Sequence, residues 1–158
     1  MEIKSNKPLI IAEIGWNFLG DLNLAKKMIL SAKNCGVDAV KFQLWNPKNL
    51  KNGAWDNDGR RNLYNKSYLD YKKFNLLFRY SKKKKIECFA SIFSKKDLRI
   101  HEKINKKIVK IPSSEAYDIS LINLALKKFK KVIVSTGALN KKELYKLIKI
   151  KNKKLILL

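Results

Sequence analysis

Short apolar runs alternate with amphipathic stretches along the 158-residue sequence, and this alternation restricts the fold more than any other feature. A short apolar run is typical of a strand buried on both faces, and an amphipathic stretch is typical of a helix that covers it. Repeated β-then-α order indicates a parallel sheet with helices on its faces. The apolar runs predict strands at Leu9–Ile14, Ala39–Gln43, Ile86–Ser91, Ile108–Ile111, Val132–Ser135 and Leu155–Leu158.

Serines close three successive strands at a constant spacing. Ser91, Ser113 and Ser135 follow one another at intervals of 22 residues, a period that fits one strand, one helix and two short loops. The amphipathic stretches predict five helices, and the polar segment from Leu44 to Lys66 is predicted to be one long loop. We expect residues 1–158 to form one domain without a flexible linker.

Two parallel architectures fit this order of elements. A doubly wound nucleotide-binding fold needs a glycine-rich turn after its first strand, but Gly15 and Gly20 lack the required spacing and no Gly-Lys-Ser/Thr follows. A (β/α) barrel instead carries polar groups at the carboxyl ends of many strands, as this sequence does. The predicted fold class is α/β, a (β/α)8 TIM-barrel type truncated after about six strands and five helices, because a complete barrel has eight strands and about 250 residues.

Basic residues far outnumber acidic ones. The 36 Lys and Arg against 13 Asp and Glu give a formal net charge of +23, which is typical of nucleic-acid-binding proteins. However, most of the basic residues are lysines, which lie mainly on helix faces and in the last turns of helices. Lysine lacks the planar guanidinium group with which arginine forms paired hydrogen bonds to phosphates and base edges. The arginines are confined to Arg60, Arg61, Arg79 and Arg99. We therefore expect no nucleic-acid partner.

No apolar segment of the sequence, at the N-terminus or elsewhere, indicates export or insertion into a membrane. The N-terminal residues 1–15 lack the features of a signal peptide, and no apolar run approaches the roughly 20 residues of a membrane span. Cys35 and Cys88 have neither metal nor redox spacing and are expected to be reduced and buried. We expect a cytoplasmic protein with no membrane partner.

Polar side chains stand at the carboxyl ends of five successive predicted strands. Because the carboxyl ends of barrel strands open on the same side, we expect these side chains to converge on one cavity. In strand order they are Glu13 and Asn17; Lys41 and Gln43; Ser91; Lys110, Ser113 and Glu115; and Ser135, Thr136 and Gly137.

This set of groups suits a small molecule that carries phosphate and carboxylate. Lys41 and Lys110 supply positive charge for anionic oxygens, and the strand-end hydroxyl groups can donate hydrogen bonds to them. Glu13 and Glu115 are either ion-pair partners or acids and bases with shifted pKa values. Any one of these residues alone could have a structural role, as a lysine at a sheet edge or a serine in a turn. The occurrence of polar residues at five successive strand ends instead favours a binding site.

Histidine and tryptophan are the remaining candidates. His101 lies in the middle of a predicted helix and is expected to be a surface residue rather than a metal ligand. Trp16, Trp45 and Trp55 lie in loops near strand ends, where they either line a substrate pocket or anchor the loops.

Four segments resemble the N-acetylneuraminate (sialic acid) synthase family, in the order in which that family has them. They are Ile11-Ala12-Glu13-Ile14-Gly15-x-Asn17 with Gly20-Asp21-Leu22, Asp38-Ala39-Val40-Lys41-Phe42-Gln43, Lys110-Ile111-Pro112-Ser113-x-Glu115, and Ser135-Thr136-Gly137. The resemblance covers nearly the whole chain and is weakest in residues 44–66. It implies the N-terminal part of that family's barrel, without the C-terminal barrel strands and the antifreeze-like domain.

The resemblance implies a condensation of phosphoenolpyruvate with N-acetylmannosamine or a related amino sugar. In that reaction a phosphoenolpyruvate carbon attacks the sugar aldehyde, water adds at the enol carbon and phosphate leaves. The implied catalytic residues are Glu13, Glu115 and Lys41, with Glu115 favoured for proton transfer. The implied substrate contacts are Ser91, Lys110 and Ser113 with Lys41 for phosphoenolpyruvate, Gln43 for the sugar, and Ser135 and Asn17.

The resemblance also implies a divalent metal, Mn or Mg, held by histidines of later strands, so no metal ligand is expected in residues 1–158. It implies a homodimer for the complete family. We expect the chain alone to be inactive, or to need a second polypeptide that completes the barrel. Phe18 replaces a histidine that is usual in the family, and Ser114 replaces a glycine.

Two other functions stay open. A different phosphoenolpyruvate-condensing barrel synthase, of the octulosonate-phosphate type, would use a phosphorylated aldose. A non-catalytic fragment would act as a binding module or structural partner through its basic surface.

Overall fold

In the computed structural model, which describes residues 8–50 and 52–158, strands and helices alternate. The strands form one sheet in sequence order, and the pairs β1–β2, β3–β4, β4–β5 and β5–β6 are parallel. Their bounds are β1 Ile11–Gly15, β2 Ala39–Leu44, β3 Glu87–Ile92, β4 Ile108–Ile111, β5 Lys131–Val134 and β6 Leu155–Leu157. The predicted parallel α/β order is confirmed; the largest difference in bounds is at β1, predicted from Leu9 and observed from Ile11.

Six α-helices and three single-turn 3-10 helices connect these strands in the described residues. The α-helices are α1 Leu22–Asn34, α2 Arg60–Ser67, α3 Tyr71–Lys83, α4 Lys95–Ile104, α5 Ile119–Lys128 and α6 Lys141–Ile148. The 3-10 helices are Pro47–Asn49, Ala54–Asp56 and Ser113–Glu115. Within the described ranges, no helix is both long enough and apolar enough to cross a bilayer.

The prediction of five helices and of a long loop from Leu44 to Lys66 was wrong, because this segment contains α2 and two of the 3-10 helices. Arg61 organises it: its guanidinium forms an ion pair with Asp56 and donates hydrogen bonds to the carbonyl oxygens of Pro47 (3.1 Å) and Leu50 (3.3 Å). Because polar contacts hold this segment, its sequence has no helical spacing of apolar residues from which α2 could be predicted.

The chain divides into two compact units, residues 1–89 and 90–158. Residues 1–7, on which the expectation of a cytoplasmic protein partly depends, lie outside the described part. In the first unit, Phe42 of β2 packs edge-on against Phe74 of α3, with ring centroids 6.4 Å apart. Because successive strand residues point to opposite faces, Lys41 and Gln43 lie on the face of β2 that turns away from α3.

The second unit shows the same alternation. Ser91 is paired in register with Lys110, and Lys110 with Ile133, so these three residues share one face of the sheet. Val109 and Ile111 lie on the opposite face and are fully buried. The polar residues of β3 and β4 are thus separated from the apolar side of their own strands.

His101 is completely buried, so the expectation of a surface position was wrong. Its Nε2 accepts a hydrogen bond from the Ala90 backbone N–H (3.0 Å), and its Nδ1 donates to the Asn105 carbonyl oxygen (3.0 Å). The Phe129 ring meets it edge-on at 5.2 Å. Burial lowers the pKa of His101 to about 4, and the neutral ring therefore joins α4 to the backbone of β3.

The two cysteines differ in exposure. Cys88 in β3 is buried, and burial raises the pKa of its thiol to about 12. Cys35 is exposed at the end of α1, contrary to expectation, since it caps the helix with its backbone and its side chain is not needed in the core.

Candidate functional site

Glu13 of β1 and Lys41 of β2 form an ion pair between register partners on adjacent strands. Lys41 is only 5% exposed, whereas the Glu13 side chain is 48% exposed. Burial lowers the pKa of Lys41, and the hydrogen bond and charge of Glu13 partly oppose this shift. Glu13 thus supports a protonated ammonium group at a strand end where desolvation alone would disfavour it.

Gly15 shapes the space beside this pair. The β1–β2 register shifts between Glu13 and Gly15, and Gly15 has φ +55°, in the left-handed region that glycine adopts without strain. A Cβ built on Gly15 would lie 3.3 Å from Oε1 of Glu13 and 3.6 Å from Nε2 of Gln43. The Glu13 carboxylate and the Gln43 amide therefore border the same point, and the missing side chain leaves that point open.

The turn that follows β1 places Asn17 in solvent and Phe18 in the core. Asn17 is exposed, and its backbone N–H donates to the Ile14 carbonyl oxygen (3.0 Å). Phe18 is 1% exposed and packs edge-on against Phe42 at 6.0 Å, on the helix side of β2. Phe18 is therefore an apolar anchor for the turn, on the side of β2 opposite to Lys41.

Three aromatic rings pack together just beyond the ends of β1 and β2. The Trp16 and Trp45 centroids are 4.7 Å apart, and Tyr64 of α2 lies 4.9 Å from Trp16 and 5.3 Å from Trp45. We call these three residues the aromatic cluster. It joins the segment that carries α2 to the strand ends, so loop anchoring is established for Trp16 and Trp45. Trp55 instead lies against Gly53, where a built Cβ would meet its ring at 2.5 Å.

In the second unit, the predicted residues of β3, β4 and β5 lie at the carboxyl ends of those strands. Ser91 is 2% exposed and is paired in register with Lys110. Ser113 and Glu115 lie in the 3-10 turn directly after β4 and are half-buried. Ser135 follows β5, and its N–H donates to the Ile111 carbonyl oxygen (3.1 Å), which holds it beside the end of β4.

Thr136 has a different role from the one expected. Its hydroxyl and its backbone N–H both donate to the Leu158 backbone oxygen, each at 2.8 Å. Its hydroxyl therefore supports the main chain next to β6 rather than pointing into a polar strand-end set. Ser135, one residue earlier, keeps its side chain outside this interaction.

Asp97 is a buried carboxyl outside the predicted set of strand-end residues. It is 4% exposed, it lies in the first turn of α4, and the Ser94 hydroxyl donates to it at 2.6 Å. Burial raises its pKa, and the Ser94 hydroxyl partly opposes this. The Ser94-x-x-Asp97 spacing of a capping box was the available signal. Tyr64 was also missed, because it lies in the polar segment where no helix was predicted.

No group of three or more His, Cys, Asp and Glu side chains that could hold a metal ion occurs among residues 8–50 and 52–158. His101 has both ring nitrogens in hydrogen bonds to the backbone. The described residues therefore do not fit the divalent cation that the resemblance implies.

The sequence matches the model of the NeuB family over residues 28–158. It is 35% identical over 155 residues to a pseudaminic acid synthase of Campylobacter jejuni, with 91% of this chain and 45% of that protein covered. It is 37% identical over 146 residues to an N,N'-diacetyllegionaminic acid synthase of the same species, with 85% and 43% covered. The structure is similar to the N-acetylneuraminic acid (sialic acid) synthetase of Leptospira borgpetersenii, crystallised in complex with citrate, with a TM-score of 0.84 and 35% identity over 96% of this chain and 53% of that one.

The chain spans about half the length of the curated relatives it matches. Over that span, the parallel order of the strands agrees with the likeness to solved synthases, and the fold is of the TIM-barrel type found in those synthases. The family model covers most of the sequence. The chain therefore belongs to the NeuB family of sialic-acid-type synthases.

Proposed function

We propose that this chain contributes strand-end residues to the condensation of phosphoenolpyruvate with an N-acylated amino sugar, which gives a sialic-acid-like nonulosonate. Membership of the family and the names of its relatives support this proposal. The single observation in this structure that carries it is the buried Lys41 ammonium held by Glu13.

A buried lysine is costly unless anions face it. Glu13 supplies one anion but is itself half-exposed, so the pair is suited to bind a second anion that is delivered from solution. Phosphoenolpyruvate carries both a carboxylate and a phosphate, and charge-assisted hydrogen bonds to such oxygens are stronger than neutral ones. Ser91, Lys110 and Ser113 present similar donors in the second unit.

In the proposed reaction, a carbon–carbon bond forms between the methylene carbon of phosphoenolpyruvate and the sugar aldehyde carbon. The aldehyde oxygen takes up a proton and becomes a hydroxyl group. Water adds to the former enol carbon, loses a proton, and inorganic phosphate departs. Glu115 is the proposed proton-transfer group, Gln43 and Asn17 the proposed sugar contacts, and Ser135 a further hydrogen-bond donor.

Three properties of the complete enzyme are proposed with it. A divalent Mn or Mg ion would be held by residues other than those described here. A homodimer is proposed for the active assembly. The chain alone is proposed to be inactive, and a second polypeptide with the remaining strands would restore the reaction.

The test is phosphate release from phosphoenolpyruvate in the presence of N-acetylmannosamine or a 2,4-diacetamido sugar. The chain is assayed alone and after co-expression with the adjacent downstream reading frame. We expect release only in the combined sample, and a loss of about 100-fold or more in the Lys41→Met variant, because a charged donor to the reacting anion is removed. Lys27→Met, which removes an exposed lysine of α1, is the matched control and should keep full activity.

Absence of phosphate release with every amino sugar would refute the proposal, as would full activity of Lys41→Met. Turnover of a phosphorylated aldose in preference to the N-acyl sugars would instead assign the octulosonate-phosphate reaction, which no comparison supports.

A further inference from the structure

We propose that the amino-terminal edge of the sheet in the second unit is a docking surface for an anionic phospholipid bilayer. Three Lys-Lys pairs, which directly precede or open β4, β5 and β6, form this edge. We call these six residues the lysine edge: Lys106, Lys107, Lys130, Lys131, Lys153 and Lys154. The inference rests on the distribution of charge and is independent of the proposed reaction.

Backbone hydrogen bonds hold the three pairs side by side. The Lys130 N–H donates to the Lys106 carbonyl oxygen at 2.9 Å. The Lys131 N–H donates to the Lys107 carbonyl oxygen at the same distance, 2.9 Å. The Lys154 carbonyl oxygen accepts from the N–H of the residue after Lys131, also at 2.9 Å, which brings the third pair beside the second. Since neighbouring strands are about 4.8 Å apart, like charges stand next to each other at this edge.

This arrangement of charges is unfavourable in the isolated chain. Like charges on adjacent strands repel each other, and five of the six lysines are exposed. Glu102 offsets a part of the charge, since its carboxylate lies 3.2 Å from the Lys128 ammonium and 3.7 Å from that of Lys106. The other acidic residues of the range 90–158 lie at the opposite edge, at helix starts or in the turn after β4: Asp97, Glu115, Asp118 and Glu143. A negatively charged partner would therefore relieve the repulsion.

The composition of the lysine edge favours lipid headgroups over the two other kinds of polyanion. Nucleic-acid sites combine arginine with exposed aromatic rings on which bases stack, whereas Phe129, between Lys128 and Lys130, is only 1% exposed. Protein interfaces have an apolar centre that is depleted of charged residues, whereas lysines occupy the centre here. A cluster of about four to eight lysines binds an anionic bilayer through charge alone.

An open cleft of about 280 Å³ adjoins the lysine edge and can receive a headgroup phosphate. Lys127, at the end of α5, and Lys151 and Asn152, just before β6, are among the residues that line it. The carbonyl oxygens at the end of a helix would repel an anion, but Lys154 Nζ donates to the Leu126 carbonyl oxygen at 3.0 Å. Ammonium and amide donors around a covered helix end suit phosphate oxygens.

The position of the lysine edge leaves the candidate site open. Because β4, β5 and β6 are parallel, their amino ends share one edge and their carboxyl ends the other. A bilayer at the lysine edge would leave Lys110, Ser113 and Ser135 facing solution. The expectation of no membrane partner came from the lack of an apolar span, and adsorption through charge needs no span.

The test is co-sedimentation of the full chain with vesicles of phosphatidylcholine alone and with vesicles that also contain about 30% phosphatidylglycerol. We expect binding only to the anionic vesicles at about 0.1 M salt, and release at about 0.5 M salt. The triple variant Lys106→Gln, Lys130→Gln and Lys153→Gln takes one exposed lysine from each pair. It should lower the partition coefficient by about 100-fold, because each lysine close to the bilayer contributes.

The matched control is the triple variant Lys96→Gln, Lys141→Gln and Lys142→Gln. It removes the same charge from exposed residues at the starts of α4 and α6, which lie at the opposite edge. Its partition coefficient should stay within about threefold of that of the unmodified chain, since charges more than a Debye length from the bilayer are screened. Circular dichroism checks the fold of both variants.

Three results would overturn the inference. The first is no binding to the anionic vesicles at about 0.1 M salt, and the second is an equal loss of binding in the two triple variants. The third is tighter binding of single-stranded RNA or of a polyglutamate peptide than of the anionic vesicles at equal concentrations of negative charge. That result would assign the lysine edge to a nucleic-acid or a protein partner instead.

Discussion

At the scale of single residues, Lys41 and His101 show two ways in which this chain buries an ionisable group. Lys41 is accompanied by the carboxylate of Glu13, which supports its charge. His101 is buried as a neutral ring, with one nitrogen accepting from Ala90 and the other donating to Asn105. The first arrangement pairs a buried cation with a carboxylate, while the second satisfies two backbone groups and stabilises the fold.

The buried His101 predicts a loss of stability in mild acid. Its pKa is about 4 in the folded chain and near 6.5 in an unfolded one, so protons bind preferentially to the unfolded state. Stability is then complete above about pH 6.5 and falls as the pH drops towards 4. We expect the His101 contribution to cost about 2 kcal/mol between pH 8 and pH 5, measured by urea unfolding at both values.

The control for this prediction is His101→Gln, which keeps a hydrogen-bonding side chain but does not titrate. His101 is the sole histidine of the sequence, so no other imidazole contributes in this pH window. The variant should be less stable at pH 8 but should lose about 2 kcal/mol less on acidification. An equal loss in both proteins would show that His101 does not control the effect.

At the scale of elements, the turn after β1 depends on the close approach of a second segment. Gly20 has φ +84°, and a Cβ built there would lie 2.6 Å from the Lys66 carbonyl oxygen at the end of α2. Phe18 holds the other end of the turn in the core. The turn that carries Asn17 and the helix that carries Tyr64 are therefore coupled through their backbones.

Gly20→Ala should destabilise the chain more than a left-handed backbone alone explains. Gly36, with φ +78° and no atom within 4 Å of a built Cβ, provides the matched comparison. We expect Gly36→Ala to cost about 1 kcal/mol from backbone strain, and Gly20→Ala to cost at least about 2 kcal/mol, since the Lys66 backbone must also move. Urea denaturation of the two variants measures the difference, and equal costs would contradict the close approach at Gly20.

At the scale of the whole molecule, a strongly basic chain exposes apolar side chains on α6. Leu144 and Ile148, one helical turn apart, are 38% and 54% exposed. Adjacent exposed apolar residues favour association, whereas a net charge of +23 opposes it. Because salt screens the repulsion but not the apolar contact, ionic strength should decide which effect is larger.

We expect the chain alone to self-associate more as salt is raised from about 0.05 M to 0.5 M, as measured by sedimentation velocity. The double variant Leu144→Lys with Ile148→Lys should remain monomeric over that range. Tyr117→Lys is the control, because Tyr117 is 58% exposed but lies outside α6. A salt response that survives the double variant would show that another surface is responsible.

The parallel order and the positions of the strands were determined by the sequence alone, because each strand is a local apolar run bounded by turn residues and caps. The positions of the strand-end residues were determined in the same way. The alternation of side chains along each strand sets the face on which Glu13, Lys41, Ser91 and Lys110 lie. Helix starts such as Asn140, which forms a capping box with Glu143, are equally local.

Only the tertiary structure decided what depends on a partner distant in sequence. His101 is buried because the backbone groups of Ala90 and Asn105 each need a hydrogen-bond partner. The helix α2 forms in a polar segment because Arg61 binds the Pro47 carbonyl oxygen and Tyr64 packs against Trp16. The choice of Glu13 as the ion-pair partner of Lys41 follows from the register of two strands that are separated by a whole helix. The spacing of apolar residues along the sequence indicates which residues are buried. It does not indicate which buried polar groups will form hydrogen bonds or ion pairs with each other, because those partners come together only when the strands and helices pack.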